Sequence, residues 1–238
     1  MGINMDDINR EMFLMHSETD EYKSAMSYVD DVITDALSQY KKPIISFSGG
    51  KDSLVMMHRI LKHDKNIMVF HWDYGRYYVP RDIESATIDI IKSMNADYIV
   101  ETSTLYEIEK RNPSNVFYRV FFGHTIKMMK KAEYDLSFVG LREQESLKRK
   151  RKINDKPFRQ NIIDECYPLH KLTWKDIWAY IISNDLPYLK IYDKYAKLIG
   201  YDKVRFATFF DAEFDKLGAS NIDGFLMPEF KHPFYTKT

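Results

Sequence analysis

The sequence predicts an α/β protein with a Rossmann-like parallel sheet of five strands and helices on both faces. Two observations support this class. Short apolar runs rich in β-branched residues alternate with segments whose apolar residues recur at helical spacing, which is typical of parallel sheets with right-handed crossovers. The run at residues 43–47 also ends in paired glycines, and a helical pattern begins directly after them. We expect N-terminal helices before this sheet and a mostly helical extension after it.

Two helical patterns precede the first strand. From Asp20 to Tyr40, seven apolar or aromatic residues lie at helical intervals and form one face. We expect this face to pack beside the sheet; a partner-binding face is the alternative. The chain then divides into an N-terminal helical segment (1–40), an α/β domain (41–185) and a C-terminal helical extension with a tail (186–238).

The other elements follow from apolar runs and helix signals. Further strands are predicted at 66–72, 98–100 and 136–139, with a short fifth strand from Ile162. Thr173 has the position of an N-cap, and Asp176 completes a capping box. A helix opened by Pro80 is predicted to face inward through Ile83, Ala86, Ile90, Ile91 and Met94. The remaining helices are predicted at 54–63, 116–131, 192–199 and 206–217.

The composition excludes several classes of protein. The 35 basic residues balance the 35 acidic ones, so no global field draws the chain to nucleic acid or membrane. No segment approaches the roughly 20 apolar residues of a membrane span. The N-terminus is acidic and lacks the apolar stretch of a signal peptide. We therefore expect a cytoplasmic protein without membrane contact.

The cysteine count limits the redox and metal chemistry. Cys166 is the single cysteine, which rules out an internal disulfide and a cysteine-only metal or iron–sulfur cluster. We interpret it as a small buried apolar residue.

The junction at Ser48–Ser53 has the chemistry of a phosphate site. Its paired glycines let an anion approach the backbone, and the helix that follows offers unpaired N–H groups and a partial positive charge. Ser48 and Ser53 add hydroxyls and Lys51 adds a cation, while Asp52 can orient the loop or hold a metal. The adjacent glycines exclude a Walker A loop, which needs four residues between its first glycine and Gly-Lys-Ser/Thr.

Four sequence blocks occur in order between residues 43 and 193. They are Ser-Gly-Gly-Lys-Asp-Ser at 48–53, Asp73-Tyr74-Gly75 followed by Pro80, Gly140-Leu141-Arg142-Glu143-Gln144-Glu145-Ser146, and residues 167–181 with Leu186-Pro187-Tyr188 and Tyr192-Asp193 after them. Together they resemble the phosphoadenylyl-sulfate (PAPS) reductase family of the PP-loop ATP pyrophosphatase superfamily. The second block departs from the family pattern, because Arg81-Asp82 stands where the family has Glu-Thr.

This resemblance implies a site for an adenine nucleotide. In the family the PP-loop holds a phosphate or pyrophosphate, and backbone groups of the first two strands read adenine. Asp73 would then lie near the ribose or a Mg²⁺ ion, with Asp52 as the other candidate metal ligand. Arg142 would pair with phosphate or sulfate oxygens as a planar fork. A buried core histidine is the alternative for His71. The implied nucleotide- and phosphate-binding residues are Ser46, Phe47, Ser48, Gly49, Gly50, Lys51, Asp52, Ser53, His71, Asp73, Gly140, Arg142 and Ser146.

The departures from the family bear on the reaction. Its reductases carry a nucleophilic cysteine in a C-terminal tail, but residues 227–238 contain none, and Cys166 lies before Pro168, away from that motif. We therefore expect a PP-loop enzyme that binds ATP with Mg²⁺ and cleaves the bond between the α- and β-phosphates for adenylyl transfer. Lys51, Asp52 and Arg142 would be its catalytic residues, with cations stabilising the charge on pyrophosphate. A (phospho)adenylyl-sulfate reductase, a non-catalytic nucleotide-binding module and a nucleic-acid thiolation component remain alternatives.

The basic run Lys148–Lys152 has two interpretations. It forms a solvated face or a clamp on a second phosphate, or it contacts a nucleic-acid or protein partner. The expected ligands are ATP or another adenine nucleotide and Mg²⁺, without an iron–sulfur cluster. A homo-oligomer is compatible with the sequence.

Overall fold

The computed structural model describes residues 5–73, 79–102, 125–154 and 156–205. Within them, six strands form one sheet: β1 Pro43–Phe47, β2 Met68–Asp73, β3 Tyr98–Thr102, β4 Leu136–Val139, β5 Phe158–Arg159 and β6 Asp164–Cys166. The strand order is β3-β2-β1-β4-β6-β5. Every neighbouring pair is parallel except β5 and β6, which are antiparallel.

The described helices surround this sheet. They are α1 Asp7–Ser17, α2 Asp20–Gln39, α3 Lys51–His63, α4 Arg81–Ser93, α5 Ile126–Lys131, α6 Leu147–Ile153, α7 Trp174–Ser183 and α8 Ile191–Ile199. Strand β1 shows how both sheet faces are covered, because its side chains alternate between two apolar clusters. Ile45 and Phe47 pack with α2, α3 and α7, whereas Ile44 packs with Met129 of α5. The predicted α/β class is therefore confirmed.

The predicted number of strands is wrong by one. The additional strand, β5, is only two residues long, so it carries no alternation that a sequence pattern could reveal. It pairs Phe158 with Cys166, and the Phe158 ring stacks on Tyr40 at a centroid distance of 6.4 Å. The strand expected from Ile162 begins two residues later, at Asp164.

The predicted inward face of α4 is also partly wrong. Ile90 and Ile91 are buried as expected, but Ala86 is exposed, and Glu84 and Thr87 are buried instead. A pattern built on apolar residues misplaces this face because the two buried polar side chains have specific polar or backbone neighbours inside the protein. Helix α4 therefore supplies chemistry to the sheet edge as well as packing.

The helix predicted from Asp20 is confirmed as α2. It buries Tyr22, Met26, Val29, Val32, Ile33 and Ala36 in the main core, which favours packing beside the sheet over a partner-binding face. The capping box of Thr173 and Asp176 is also confirmed at the start of α7.

Strand order places the switch point of the sheet between β1 and β4. The chain moves from β1 through β2 to β3 on one side and returns to β4 on the other side of β1. Loops that leave the carboxyl ends of β1 and β4 therefore meet at one edge, where ligands bind in open α/β sheets. These loops contain the segments at 48–50 and 140–146 that the sequence singled out.

Some predictions lie outside the described residues. They include Tyr74 and Gly75, most of the helix expected at 116–131, the helix at 206–217 and the tail at 227–238. The three-part division of the chain stays a prediction.

Candidate functional site

The loop between β1 and α3 requires glycine at its second position. Gly49 has φ +78°, in the left-handed region that favours glycine. A Cβ atom there would also lie 2.9 Å from Oγ1 and 3.0 Å from Cγ2 of Thr87 on α4. Helix α4 thus closes over the loop, and the close approach leaves no room for a side chain.

Two serines brace the loop from within. The Ser53 hydroxyl donates to the Gly50 carbonyl (2.9 Å), so the Ser48 hydroxyl must donate in the 3.1 Å bond between the two side chains. Ser53 Oγ also accepts from the Ser48 amide (3.2 Å). These bonds fix the backbone of the loop. Helix α3, which follows the loop, begins without a side-chain cap. As in any α-helix, its first amides have no hydrogen-bond partner within the helix.

A cluster of three charged side chains lies at this helix start. Lys51, Asp52 and Arg142 are 2%, 9% and 3% exposed. Lys51 Nζ donates to Asp52 Oδ2 (3.1 Å), and Arg142 Nε donates to Asp52 Oδ1. The sequence separates Arg142 from Asp52 by 90 positions, and the switch point brings them together.

Burial and pairing compete in setting the pKa values of this cluster. Burial acts to raise the pKa of the Asp52 carboxyl, but Arg142 and Lys51 outweigh burial and hold that pKa below its usual range. Burial lowers the pKa of Lys51, and Asp52 only partly opposes this. Despite burial, Arg142 stays cationic because Asp52 and Glu145 raise its pKa, and an anion bound beside Lys51 would counter the effect of burial and favour the protonated amine.

Contacts from two segments hold the Arg142 side chain. Its Nη1 donates to Gln144 Oε1 (3.2 Å) and to the Leu172 carbonyl (3.5 Å). Its backbone amide donates to Glu145 Oε2 (3.1 Å). Gly140, at the end of β4, approaches the first turn of α3 so closely that a Cβ atom would lie 2.9 Å from Ser53 Cα and N. Close packing against α3 therefore explains the glycine at position 140 without any contact with a ligand.

The end of β2 presents two more of the predicted residues. His71 Nδ1 lies 2.9 Å from the Phe47 carbonyl, which can only accept, so this nitrogen carries a proton. Its Nε2 lies 2.8 Å from Glu84 Oε1 on α4. Both ring nitrogens are thus engaged by protein atoms, the geometry of a buried structural histidine.

Asp73 pairs with Arg81, the residue that departs from the family pattern. Arg81 Nη1 and Nη2 each donate to one oxygen of Asp73 at 2.9 Å. The Asp73 side chain is buried, whereas that of Arg81 is 45% exposed. The negative charge of Asp73 is therefore balanced by the positive charge of Arg81.

The remaining predicted residues lie within or beside these elements. Ser46 bonds Ser137 of β4 across the sheet (2.8 Å). Ser146 is the N-cap of α6, accepting from the Arg149 amide at 3.1 Å. The structure thus gathers 48–53, Gly140 and Arg142 at one point, with the end of β2 beside it.

Comparison with known proteins assigns the chain to a family. A family model described as phosphoadenosine phosphosulfate reductase domain matches residues 42–221, more than half of the chain. The chain belongs to this family. The resemblance seen in the four sequence blocks is therefore confirmed.

Named relatives within and around this family carry two activities. The chain is 23% identical over 194 residues to sulfate adenylyltransferase subunit 2 of Mycolicibacterium vanbaalenii, covering 68% of this chain and 61% of that protein. It is 27% identical over 203 residues to adenosine 5'-phosphosulfate reductase of Bacillus cereus, covering 81% and 84%. The chain thus spans about three fifths of the length of the first relative.

A solved structure supports the fold. PAPS reductase from Candida auris, in a phosphate complex, matches with a TM-score of 0.55 and 14% identity, covering 82% of this chain and 94% of that one. Because the sequence identity is this low, the match shows a shared fold and nothing about function.

The predicted set of site residues omitted three residues that the structure brings to the site. Tyr192 of α8 accepts a hydrogen bond from the Lys51 amide (3.0 Å), and Glu84 and Thr87 of α4 contact His71 and the loop. Glu84 and Thr87 share a helix face with Arg81 at a spacing of three residues, a signal that was present in the sequence. Tyr192 stands in the fourth sequence block, but that block does not reveal a contact with Lys51, which lies 141 positions away.

The described residues do not form a resident metal centre. No group of three or more metal-ligating side chains occurs among them. Asp52 and Asp73, the two candidate ligands, already accept hydrogen bonds from cationic side chains. In the part of the chain that the structure describes, no helix is both long and apolar enough to cross a membrane.

Proposed function

We propose that the chain binds ATP as its Mg²⁺ complex and transfers AMP to an acceptor, releasing pyrophosphate. The observation that carries this proposal is the buried cluster of Lys51, Asp52 and Arg142 beside the braced loop at Ser48–Ser53. It offers two cations and a helix N-terminus to a phosphate chain. The Mg²⁺ arrives on the phosphate oxygens of ATP, because this ion is usually held by substrate phosphates and water rather than by a protein cage.

The cluster suits cleavage between the α- and β-phosphates. An acceptor oxygen attacks the α-phosphorus, a new phosphorus–oxygen bond forms, and the bond to the bridging oxygen breaks. Negative charge then grows on the departing pyrophosphate, where the Lys51 ammonium and the Arg142 guanidinium would stabilise it. Asp52 keeps both cations in place before the substrate binds. This chemistry needs no protein nucleophile.

The named relatives support adenylyl transfer. Sulfate adenylyltransferase subunit 2 is named for that reaction and for a multi-subunit enzyme. We infer that a partner subunit completes the enzyme or supplies the acceptor, because that relative is named as one subunit of its enzyme.

Reduction of adenylyl sulfate is the second candidate, favoured by the match over 84% of the Bacillus cereus reductase. Cys166 is poorly suited to be the nucleophile of such a reductase. The thiol is 0% exposed in β6, and burial raises its pKa, so it stays protonated. It lies in the core with Phe138 and Leu169.

Labelled ATP tests the proposal. The protein is incubated with α-labelled ATP, Mg²⁺ and sulfate, FMN or nucleic acid as acceptor, and labelled AMP or adenylated product is expected in one mixture. Lys51→Met should abolish the product, because it removes a cation at the phosphates. Lys92→Met on the exposed face of α4 is the matched control and should behave as wild type.

The other outcomes separate the alternatives. Absence of product in every mixture contradicts the proposal, and tight ATP binding without turnover then favours a non-catalytic module. Thioredoxin-dependent release of sulfite from adenylyl sulfate by the wild type would favour the reductase; its persistence in Cys166→Ser would exclude that thiol as the nucleophile.

A further inference from the structure

Tyr192 connects the C-terminal helix α8 to the PP-loop. Its hydroxyl accepts a hydrogen bond from the Lys51 amide at 3.0 Å, which is the first amide of α3. Its ring lies under the Lys51 ammonium, with 5.8 Å from Nζ to the ring centroid. The side chain is 1% exposed. One tyrosine thus contacts both the backbone and the side chain of the lysine that the proposed function needs.

The surroundings of Tyr192 hold its ring in place. Trp178 of α7 packs edge-on against it at a centroid distance of 5.5 Å. The same indole contacts Tyr188 at 5.3 Å and Tyr201 at 5.0 Å, and its Nε1 donates to the Tyr201 carbonyl (3.1 Å). Tyr192 thus packs against an indole that is itself held on several sides, which restricts movement of the Tyr192 ring.

The next residue anchors the helix itself. Asp193 is buried and accepts hydrogen bonds from the hydroxyls of Tyr188 (2.9 Å) and Tyr201 (2.9 Å). These two bonds fix α8 at the position that brings Tyr192 to the loop. The loop therefore lies close to Thr87 of α4 at Gly49 and is hydrogen-bonded to Tyr192 of α8 at Lys51.

We propose that Tyr192 is a positioning residue of the PP-loop, which fixes the Lys51 amide and ammonium so that the loop is already shaped for a nucleotide phosphate. This deepens the proposed function and rests on it where binding is concerned. A loop held in its binding geometry loses less conformational freedom when the anion arrives, and this is a gain in affinity. If the Tyr192 hydroxyl instead competed with the phosphate for the Lys51 amide, removing that hydroxyl would tighten phosphate binding.

The test compares two tyrosine-to-phenylalanine variants. Tyr192→Phe removes the hydroxyl that accepts the Lys51 amide and keeps the ring. Tyr40→Phe is the control: it removes a tyrosine hydroxyl that donates to Asp164 Oδ2 (2.9 Å) just before β1, whereas the loop follows the other end of that strand. Calorimetry measures binding of Mg²⁺–ATP and of inorganic pyrophosphate, and ¹H–¹⁵N spectra of the free protein report the Lys51 amide.

Tyr192→Phe should weaken both ligands by about fivefold, the effect of losing one ordinary buried hydrogen bond. It should also shift the Lys51 amide proton upfield, and Tyr40→Phe should do neither. Unchanged or tighter binding in Tyr192→Phe overturns the inference, as does an equal loss in Tyr40→Phe. If the wild type binds neither ligand, the proposed function fails, and the amide shift still decides whether Tyr192 positions the loop.

Discussion

Lys51 and Arg142 are two buried cations that share one carboxylate, Asp52. Burying such a cluster costs free energy that its internal attraction only partly restores, so its contribution to stability is small or negative. Perturbed ionisable groups of this kind concentrate at functional sites. A phosphate beside Lys51 and Arg142 would offset the cost of burying these two basic side chains.

Gly49→Ala should destabilise the protein by about 2 kcal/mol, because the residue adopts a left-handed conformation and its Cβ would meet Thr87. Urea unfolding measures the change. Thr87→Ala in the Gly49→Ala background should recover part of the loss, since it removes the contact and leaves the backbone strain. Equal stability of Gly49→Ala and wild type would contradict both the backbone strain and the steric contact with Thr87.

At the scale of elements, the basic run lies in helix α6, where some of its charged side chains form ion pairs and others are exposed to solvent. Arg149 pairs with Glu145, and Lys152 Nζ lies 3.0 Å from Glu165 Oε2. Lys150 and Arg151 are exposed. Part of the run thus braces the β4 loop and the β6 strand, which favours a solvated face with structural ends over a clamp on a second phosphate.

Lys150→Glu/Arg151→Glu should change nucleotide affinity by less than about twofold, because charges exposed to solvent are screened over roughly 8–10 Å at physiological salt. Calorimetry with Mg²⁺–ATP measures it. Lys130→Glu/Lys131→Glu at the exposed end of α5 is the matched control for the change in net charge. A tenfold loss confined to the α6 variant would restore the phosphate clamp.

The elements also show what a sequence can and cannot predict. Strands β1 and β4 and helices α2 and α7 follow from local patterns, since apolar periodicity and a capping box are written within about 20 residues. The PP-loop and Arg142 are recognisable for the same reason. The Tyr192 contact joins residues 141 positions apart and β5 is too short to show a pattern, so neither is predicted locally. The buried face of α4 has a polar spacing in the sequence, but a search for apolar residues does not detect it.

For the whole molecule, charge balance leaves pH dependence to individual buried groups. The formal net charge is +0 at pH 7, so repulsion between like charges is small at that pH. Asp52 and Asp193 act in opposite directions. The pKa of Asp52 lies below its usual range, where Arg142 and Lys51 outweigh burial, whereas burial raises the pKa of Asp193.

The sign of the Asp52 contribution follows from its lowered pKa. The folded state prefers the carboxylate, so this stabilisation is present above the ordinary value of 3.8 and is lost as the pH falls from there towards the folded pKa. Asp52→Asn lacks this contribution and should be less stable than wild type by about 3 kcal/mol near neutral pH, the order of a broken buried ion pair. Its deficit should shrink below about pH 4 as the wild type loses its own ion pairs.

Urea unfolding from about pH 7 to about pH 3 measures both free energies, and their difference removes the contribution of Asp193, which is common to the two proteins. Asp89→Asn on the exposed face of α4 makes the same change in charge and should follow the wild type throughout, since its side chain is 69% exposed. Parallel curves for Asp52→Asn and wild type would mean that Asp52 titrates alike in the folded and unfolded chain. The buried cluster would then not hold Asp52 as an anion, and the electrostatic basis of the proposed phosphate site would fail with it.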